Sequence, residues 1–422
     1  MSTSTDQPTI SSGESGKSTV GDTTRRALPP VVPLLAVGTF LMITTEYLVA
    51  GLLQDIATGL DVDVSRVGLL ISAFAVGMIL GSPGMALATL RLPRRMTLVG
   101  ALGIFAVGHV VAALSTTFAL VATARVIAAL AAGAFWAVAA VVATTAAGPA
   151  NQSRALGLMM SGVGIATVAG VPLGIFAGQL LGWRGSFWVL AAAAALAAPI
   201  IYRCTPADTH TAAPSVRSEL RAVATGRMAL LVLATVLATG GYMTTFSYLS
   251  PLVTERTGLA EKAVPLVFVV FGTGAVLGTN LAGRFADARP LTTFLTATTS
   301  TVAIMTLLAL SSTNPIATFI LIFALGIAGM GIPPVGTGLA VRFASTAPTL
   351  AAAIAVAAFN GGTALGTWIG AETLSTDLRA RGPLLVGIAM ATLGGATLST
   401  MAALRLTAEP NHQQPDTHDP HR

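Results

Sequence analysis

Two ionisable residues stand inside long apolar stretches, where a charge is costly and usually serves a function. Glu46 lies within residues 30–53 (PVVPLLAVGTFLMITTEYLVAGLL), and Arg125 lies within residues 118–144. Almost all other charged residues fall in the polar segments between such stretches. In a bilayer, isolated charges of this kind mark substrate pathways or proton relays. A carboxylate that takes up and releases a proton beside a guanidinium is the chemistry that these two side chains could perform.

The composition predicts that these charges sit in an integral membrane protein. Of 422 residues, 54% are hydrophobic and 9% are charged, with a mean hydropathy of +0.78. A soluble domain carries roughly 25% charged residues, so this chain could not cover a water-facing surface. Cys204 is the single cysteine, which rules out an intrachain disulfide. The net charge of +6 is scattered among short loops, a pattern that argues against nucleic-acid binding.

The apolar stretches predict an all-α membrane protein with twelve transmembrane helices, since about 20 apolar residues cross a bilayer. We expect a disordered cytoplasmic tail (1–28), an N-terminal six-helix half (29–202), a cytoplasmic central loop (203–227), a C-terminal six-helix half (228–404) and a cytoplasmic C-terminal tail (405–422). The pair Pro333-Pro334 is expected to break the tenth span. The predicted spans are 30–53, 67–90, 97–114, 118–144, 156–180, 186–202, 228–251, 263–283, 292–310, 315–340, 350–370 and 383–404.

Loop charge and an internal repeat refine this arrangement. Lys and Arg number sixteen on the side of the termini and six on the other side, which predicts that both termini are cytoplasmic. The segment MITTEYL (42–48) resembles MTTFSYL (243–249), and a basic turn follows each about forty residues later. Both matches share an offset near 200 residues. The two halves are therefore expected to be related by a pseudo-symmetry axis along the membrane normal.

Glu46 and Arg125 are expected at the same depth. Each lies seven residues from the outer end of its predicted span, or about 10 Å at ~1.5 Å rise per residue. One interpretation is a structural salt bridge. The other is that Glu46 lines a central cavity and exchanges a proton there. Matched depth permits both.

Residues 30–404 resemble the major facilitator superfamily. The stretch 44–83 looks like the twelve-helix drug–proton antiporters and is similar to chloramphenicol efflux proteins and the arabinose-efflux-permease-like group. Residues 162–188 and 358–370 support that narrower resemblance. It implies the major facilitator fold in the inner membrane of a bacterium, with the proton gradient as energy source. It further implies a monomer that is not an enzyme and needs no cofactor or metal.

The resemblance assigns roles to several motif residues. In the family, a motif between spans 2 and 3 latches the halves together on the cytoplasmic side. Here its basic positions are filled, but Ala86, Leu90 and Pro93 replace its two glycines and its aspartate, which weakens the expected latch. The residues that match it are Arg91, Arg94 and Arg95, with Gly283 and Asp287 in the second-half copy.

Two further motifs lie in spans 4 and 5. Arg125 followed by Gly133 fits the fourth-span motif, and the resemblance links this arginine to proton coupling. The fifth-span antiport motif is a variant, because Val171 stands where glycine usually precedes proline. Close packing against a neighbouring helix would explain its small residues equally well. Its matching residues are Gly162, Gly170, Pro172 and Gly174.

The expected function is proton-coupled export of lipophilic antibiotics such as chloramphenicol by alternating access. A mostly apolar pocket with few polar groups suits such a molecule better than a sugar. Alternatives are an exporter of sugars or other small metabolites, and a membrane receptor that does not transport. The candidate pocket residues are Tyr47, Trp136, Tyr242, Phe246, Asn280 and Asn360, with Tyr248, Phe359 and Trp368 as further aromatics.

Overall fold

The computed structural model of the protein describes residues 28–88, 92–148, 151–206 and 223–404. The expected terminal tails and most of the expected central loop lie outside these ranges. The described residues form helices and connecting turns, without a β-strand among them. Each long helix is apolar on all sides, as expected when its faces contact either lipid or other helices.

Twelve helices are long and apolar enough to cross a membrane within the described ranges, which confirms the predicted fold class. Spans 1 to 6 are Val31–Gly51, Val64–Met85, Arg94–Leu114, Phe118–Ala147, Arg154–Leu181 and Trp183–Cys204. Spans 7 to 12 are Gly226–Ser247, Glu261–Ala286, Pro290–Ser311, Pro315–Phe343, Leu350–Leu374 and Arg379–Ala403. A short helix, Leu53–Leu60, follows span 1.

Proline interrupts two spans. In span 5 a π-helical turn, Ala166–Gly170, separates the helices Gln152–Ile165 and Val171–Leu181. Pro172 has no N–H to donate to the preceding turn, so the regular helix cannot run through this point. Span 10 divides at Gly331 into Pro315–Met330 and Ile332–Phe343. The expected break is therefore present, and Pro333 and Pro334 occupy the first turn of the second helix, where a missing N–H is tolerated.

The glycines of span 5 allow it to lie directly on span 1. An added Cβ at any of three glycines would collide with span 1 atoms, so the two helices approach more closely than larger residues permit. The contacts repeat along one ridge of span 1 at intervals of four residues. They join Gly162 to the Ala36 carbonyl, Gly170 to Phe40 and Thr44, and Gly174 to Leu48.

The two halves meet near one membrane face. We call the face where span 1 begins and span 12 ends the terminal face, and the other the opposite face. Towards the opposite face, the Ser72 and Thr367 hydroxyl oxygens lie 2.6 Å apart. Nearer that face, Ser250 donates to Gln54 Oε1 at 2.7 Å. Near the terminal face, by contrast, a Cβ added to Gly84 would meet no atom within 4 Å.

The expected latch residues lie at the terminal face. Arg91 and the side chain of Asp287 fall outside the described part of the structure. Arg95 places its guanidinium over the Tyr202 ring of the same half, 3.6 Å from the ring centroid. Gly283 is exposed, with open space beside it. Arg94 begins span 3, and the latch stays a prediction.

Candidate functional site

Arg125 is buried in the first half and directed at the main chain of span 1. Its Nη1 donates to the carbonyl oxygen of Thr45 at 2.8 Å and to the Thr45 hydroxyl at 3.0 Å. Its Nη2 reaches the carbonyl oxygen of Glu46 at 3.5 Å. The guanidinium also lies over the Phe74 ring, 4.3 Å from the centroid. Main-chain dipoles and an aromatic face thus stabilise this charge.

The hydrogen bonds of Arg125 therefore go to the backbone around Glu46 and not to its carboxylate. No hydrogen bond joins the two side chains in the part of the chain that the structure describes. Of the two interpretations of the sequence, the structural salt bridge is not the arrangement found here. The two residues are neighbours, and the carboxylate is available to other partners.

A third group, which the sequence analysis missed, completes this cluster. His109 of span 3 is 1% exposed, and its Nε2 lies 2.7 Å from the Thr45 hydroxyl. Its Nδ1 lies 2.7 Å from the carbonyl oxygen of Phe105. Thr45 thus connects the imidazole to Arg125. A usable signal existed, since His109 is the one histidine of five that falls inside a predicted span.

Glu46 lines a narrow cavity between the two halves. Glu46 is half-buried, and the cavity beside it has a volume of about 10 Å³, which is room for about one water molecule in this conformation. Apolar side chains make up most of the wall. The first half contributes Glu46, Tyr47, Ala50, Ile71, Phe74 and Ala75, and the second half contributes Met243, Phe246, Ser247, Asn360 and Thr363.

Aromatic contacts cross the interface at this cavity. The rings of Tyr47 and Phe246 meet edge to face, with centroids 5.2 Å apart. Phe246 in turn packs on Phe271 at 4.6 Å and on Phe268 at 5.3 Å. Such contacts favour an aromatic or aliphatic ligand over a strongly hydrated one.

Asn360 supplies an unused polar atom on the second-half side. Its side chain is 2% exposed, and its Nδ2 donates to the carbonyl oxygen of Val356 at 3.0 Å. The buried Oδ1 has no hydrogen-bond partner. Because buried polar atoms are normally paired, this acceptor is suited to a hydroxyl or N–H of a bound molecule.

The structure brings together half of the expected pocket. Tyr47, Phe246 and Asn360 share the cavity with Glu46. The other three candidates do not line it. The Tyr242 hydroxyl is buried against Met330 Sδ at 3.5 Å, Asn280 is exposed and bonds Val276 of its own helix, and Trp136 is half-buried against the core.

The further aromatics also lie outside the cavity lining. The Tyr248 hydroxyl donates to the carbonyl oxygen of Thr367 at 2.8 Å. Trp368 is 52% exposed, in a position that suits lipid contact, and Phe359 is half-buried against the core. Whether an aromatic side chain faces the cavity depends on how its helix is rotated, and the residue type alone does not reveal that rotation.

Solved structures with related folds agree with this architecture. The nucleoside transporter NupG matches with a TM-score of 0.73 at 14% identity, covering 88% of this chain and 99% of that chain. A bacterial homologue of the human lysosomal transporter Spinster, in an inward-facing and unoccupied conformation, matches with a TM-score of 0.67 at 16% identity. That match covers 90% of this chain and 98% of the homologue.

Sequence comparison gives nearer relatives. A chloramphenicol resistance protein of Streptomyces lividans is 38% identical over 364 residues, which are 85% of this chain and 92% of that protein. The inner membrane transport protein YdhP of Escherichia coli is 30% identical over 91% of this chain and 96% of its own length. A probable sugar efflux transporter of Helicobacter acinonychis is 28% identical over 86% of this chain and 91% of its own length. Residues 35–371 match the Major Facilitator Superfamily, and the chain belongs to that family of membrane transporters.

Proposed function

We propose that this transporter exports lipophilic antibiotics such as chloramphenicol in exchange for protons. The observation that carries the proposal is the position of Glu46. Its carboxylate lines an apolar cavity between the halves while Arg125 is bound to the backbone beside it. A carboxylate that is not held in an ion pair can gain or lose a proton as the site opens to either side.

The physical cost of charge in an apolar cavity couples the two events. An ionised Glu46 is poorly solvated there and gains from a ligand that offers an O–H or N–H donor. A proton arriving from outside neutralises the carboxylate and removes that gain, so drug leaves outward. Loss of the proton inward restores the drug-binding form. Only one of the two ligands is favoured at a time, which is the requirement for exchange.

The contacts between halves suit alternating access. Polar bonds at Ser72–Thr367 and Gln54–Ser250 hold the halves together towards the opposite face. With cytoplasmic termini, as the loop charges predict, this arrangement corresponds to a transporter closed to the outside. The unpaired Asn360 Oδ1 and the aromatic wall suit an amphipathic drug with a few donor groups. The similarity to a chloramphenicol resistance protein supports the same substrate class.

Export of sugars or other small metabolites is the second candidate. It is favoured by similarity to probable sugar efflux transporters of Helicobacter acinonychis and Pasteurella multocida, at 28% and 29% identity. The cavity wall carries few hydroxyl-binding side chains, which argues for the first candidate. A non-transporting receptor would bind a ligand without moving it.

The test is substrate movement in sealed proteoliposomes with an imposed pH gradient. Wild-type protein should move radiolabelled chloramphenicol against its concentration gradient, and a protonophore should abolish that movement. Glu46→Gln, which cannot ionise and resembles the protonated form, should lose gradient-driven movement and bind drug more weakly. The matched control is Glu255→Gln, the same chemical change at an exposed residue outside the spans.

The other possible results would each support a different function. Movement of labelled sugars but not chloramphenicol would favour the metabolite exporter. Ligand binding without flux of any tested compound would favour the receptor. Normal gradient-driven export by Glu46→Gln would show that the carboxylate does not carry the proton.

A further inference from the structure

We propose that His109 is a positioning residue for the proton-coupling site. Through the Thr45 hydroxyl, it holds Arg125 on the span 1 backbone and away from the Glu46 carboxylate. This inference rests on the proposed proton-coupled function and deepens it. It assigns a role to a buried histidine that lies outside the cavity lining.

The hydrogen bonds fix which imidazole nitrogen carries the proton. Phe105 offers a carbonyl oxygen, which can only accept, so His109 Nδ1 must donate to it. Arg125 Nη1 can only donate, so it uses a lone pair of the Thr45 hydroxyl oxygen. The remaining contact of that hydroxyl is His109 Nε2, which must therefore accept its hydrogen. These contacts are all accounted for when the imidazole is neutral and protonated on Nδ1, whereas the buried Nε of Arg125 has no hydrogen-bond partner.

Removing the Nε2 acceptor would change where the Thr45 hydroxyl points. Neighbouring Thr44 shows the alternative, because its hydroxyl donates to the carbonyl oxygen of Phe40 one turn back, at 2.7 Å. A Thr45 side chain that turned in this way would move its hydroxyl oxygen towards the carbonyl oxygen one turn back and away from Arg125. The guanidinium would lose one of its two close acceptors and would be freer to move towards Glu46.

The surroundings of the imidazole agree with a neutral, fixed group. The Phe105 ring lies 4.0 Å from it and the Phe187 ring of span 6 lies 5.7 Å from it, centroid to centroid. Thr45 faces it from span 1, and Arg125 of span 4 is the charged side chain that contacts the same hydroxyl. With aromatic rings beside it, the imidazole has no carboxylate partner among the described contacts.

Packing alone does not require histidine at this position. His109 and Met305 both lie fifteen residues after the first residue of their spans, Arg94 and Pro290. Met305 also receives a threonine hydroxyl, from Thr245 at 3.1 Å to its Sδ. The second half thus fills the equivalent place with a thioether, and none of the contacts described for Met305 involves an arginine. A histidine is therefore needed only in the first half, where the guanidinium of Arg125 has to be held in position.

Two substitutions distinguish the roles of the two imidazole nitrogens of His109. In His109→Gln the terminal amide reaches the position of Nε2 and can still accept from Thr45. In His109→Asn the shorter amide reaches the position of Nδ1, keeping the Phe105 bond and losing Thr45. We expect His109→Gln to retain gradient-driven chloramphenicol transport and His109→Asn to lose about tenfold, the scale of one buried hydrogen-bond network. Drug exchange without a gradient should stay near wild type in His109→Gln and fall in His109→Asn, because a guanidinium that approaches Glu46 competes with the donor group of the drug.

Equal transport by the two variants would overturn the proposal. If both fail to fold, Thr45→Val and Thr45→Ser give the same comparison, since valine removes the hydroxyl and serine keeps it; a defect only in Thr45→Val is the expected result.

Nitrogen NMR of labelled histidine tests the hydrogen-bond assignment without transport. A doubly protonated imidazole, or one protonated on Nε2, contradicts it. Absence of transport by the wild type would instead contradict the proposed function and leave the assignment standing.

Discussion

The two six-helix halves use the same packing but different chemistry. In the first half, glycines of span 5 lie against span 1; in the second half, glycines of span 11 lie against span 7. Gly362 and Gly366 contact the backbone at Val236 and Gly240, as Gly162 contacts the backbone of span 1. The helix framework is therefore repeated almost turn for turn.

The polar cluster is not repeated. The first half carries Thr45, His109 and Arg125 in one hydrogen-bonded group, whereas the second half places Thr245 against the thioether of Met305. In the sequence repeat, Glu46 corresponds to Ser247, and both line the cavity from opposite sides. One half therefore holds the charged side chains of the site, and the other half offers a mostly apolar surface to them. Relative motion of the halves can then change the surroundings of the carboxylate without breaking an ion pair.

The largest loss of transport should follow removal of the Arg125 charge, which the second half lacks at its own polar contact, Thr245 with Met305. Arg125→Met removes the charge but keeps an apolar stem against Phe74. We expect gradient-driven transport to fall by about 100-fold or more, on the scale of losing a group that assists proton transfer. Arg125→Lys should recover only part of it, since a single ammonium cannot both stack on Phe74 and bond two acceptors of Thr45. Transport and expression level should be measured together. Near-normal transport by Arg125→Met would show that the charged group of the first half is not needed for coupling.

An exchange at the matching positions of spans 3 and 9 should give the next largest effect. His109→Met introduces the second-half residue into the first half and should cost about tenfold in gradient-driven transport, because Thr45 loses its acceptor. Met305→Leu, a volume-conserving change in the second half, should leave transport unchanged and cost less than about 1.5 kcal/mol of stability. Proteoliposome flux and thermal unfolding of the detergent-solubilised variants measure the two quantities. Equal transport losses would mean that both positions serve packing alone.

The shared packing predicts equal stability losses in the two halves. Gly162→Ala and Gly366→Ala each place a methyl group against a neighbouring helix backbone, which must move apart. We expect each to lower the free energy of unfolding by about 1–3 kcal/mol, as overpacking does. Gly157→Ala is the control, since its added Cβ meets no atom within 4 Å, and alanine favours the helix. Thermal unfolding of the three variants checks this; loss in one half only would show that the halves do not share their packing rule.

Much of this arrangement could be predicted from the sequence, for identifiable reasons. The spans are predictable because each is an apolar run of at least about 17 residues, which is enough to cross a bilayer. Glu46 and Arg125 stand out because a lone charge in such a run is rare. Only some of the cavity residues could be predicted. Tyr47 is the sequence neighbour of Glu46, but whether Asn280 faces the cavity depends on how its helix is rotated, and the sequence of an apolar helix does not reveal that rotation. His109 was not predicted, although it is the one histidine of five inside a predicted span, because its role depends on contacts with Thr45 and Phe105 that only the folded structure brings together.

The smallest expected effect concerns the contact between halves at the opposite face. Burial, and then the Glu261 carboxylate of the other half, raise the pKa of Asp55. Ionisation of Asp55 is thus disfavoured while this contact is closed. The closed contact should be most stable at acid pH and weaken as pH rises from about 4, the usual carboxyl range, through the raised pKa. The change should be about 1 kcal/mol or less, because Asp55 is half-exposed.

Spin labels at Asp61 and Ala260, in a Cys204→Ser background, measure the separation of the halves at this face. Their distance distribution should shift towards longer values as pH rises in the wild type. Asp55→Asn should remove that shift, whereas Asp63→Asn, the same change at an exposed acid, should preserve it. A pH response that survives in Asp55→Asn would place the titrating group elsewhere, with Glu46 as the next residue to test. Titration of Glu46 at the cavity would then change the separation of the two halves at the opposite face.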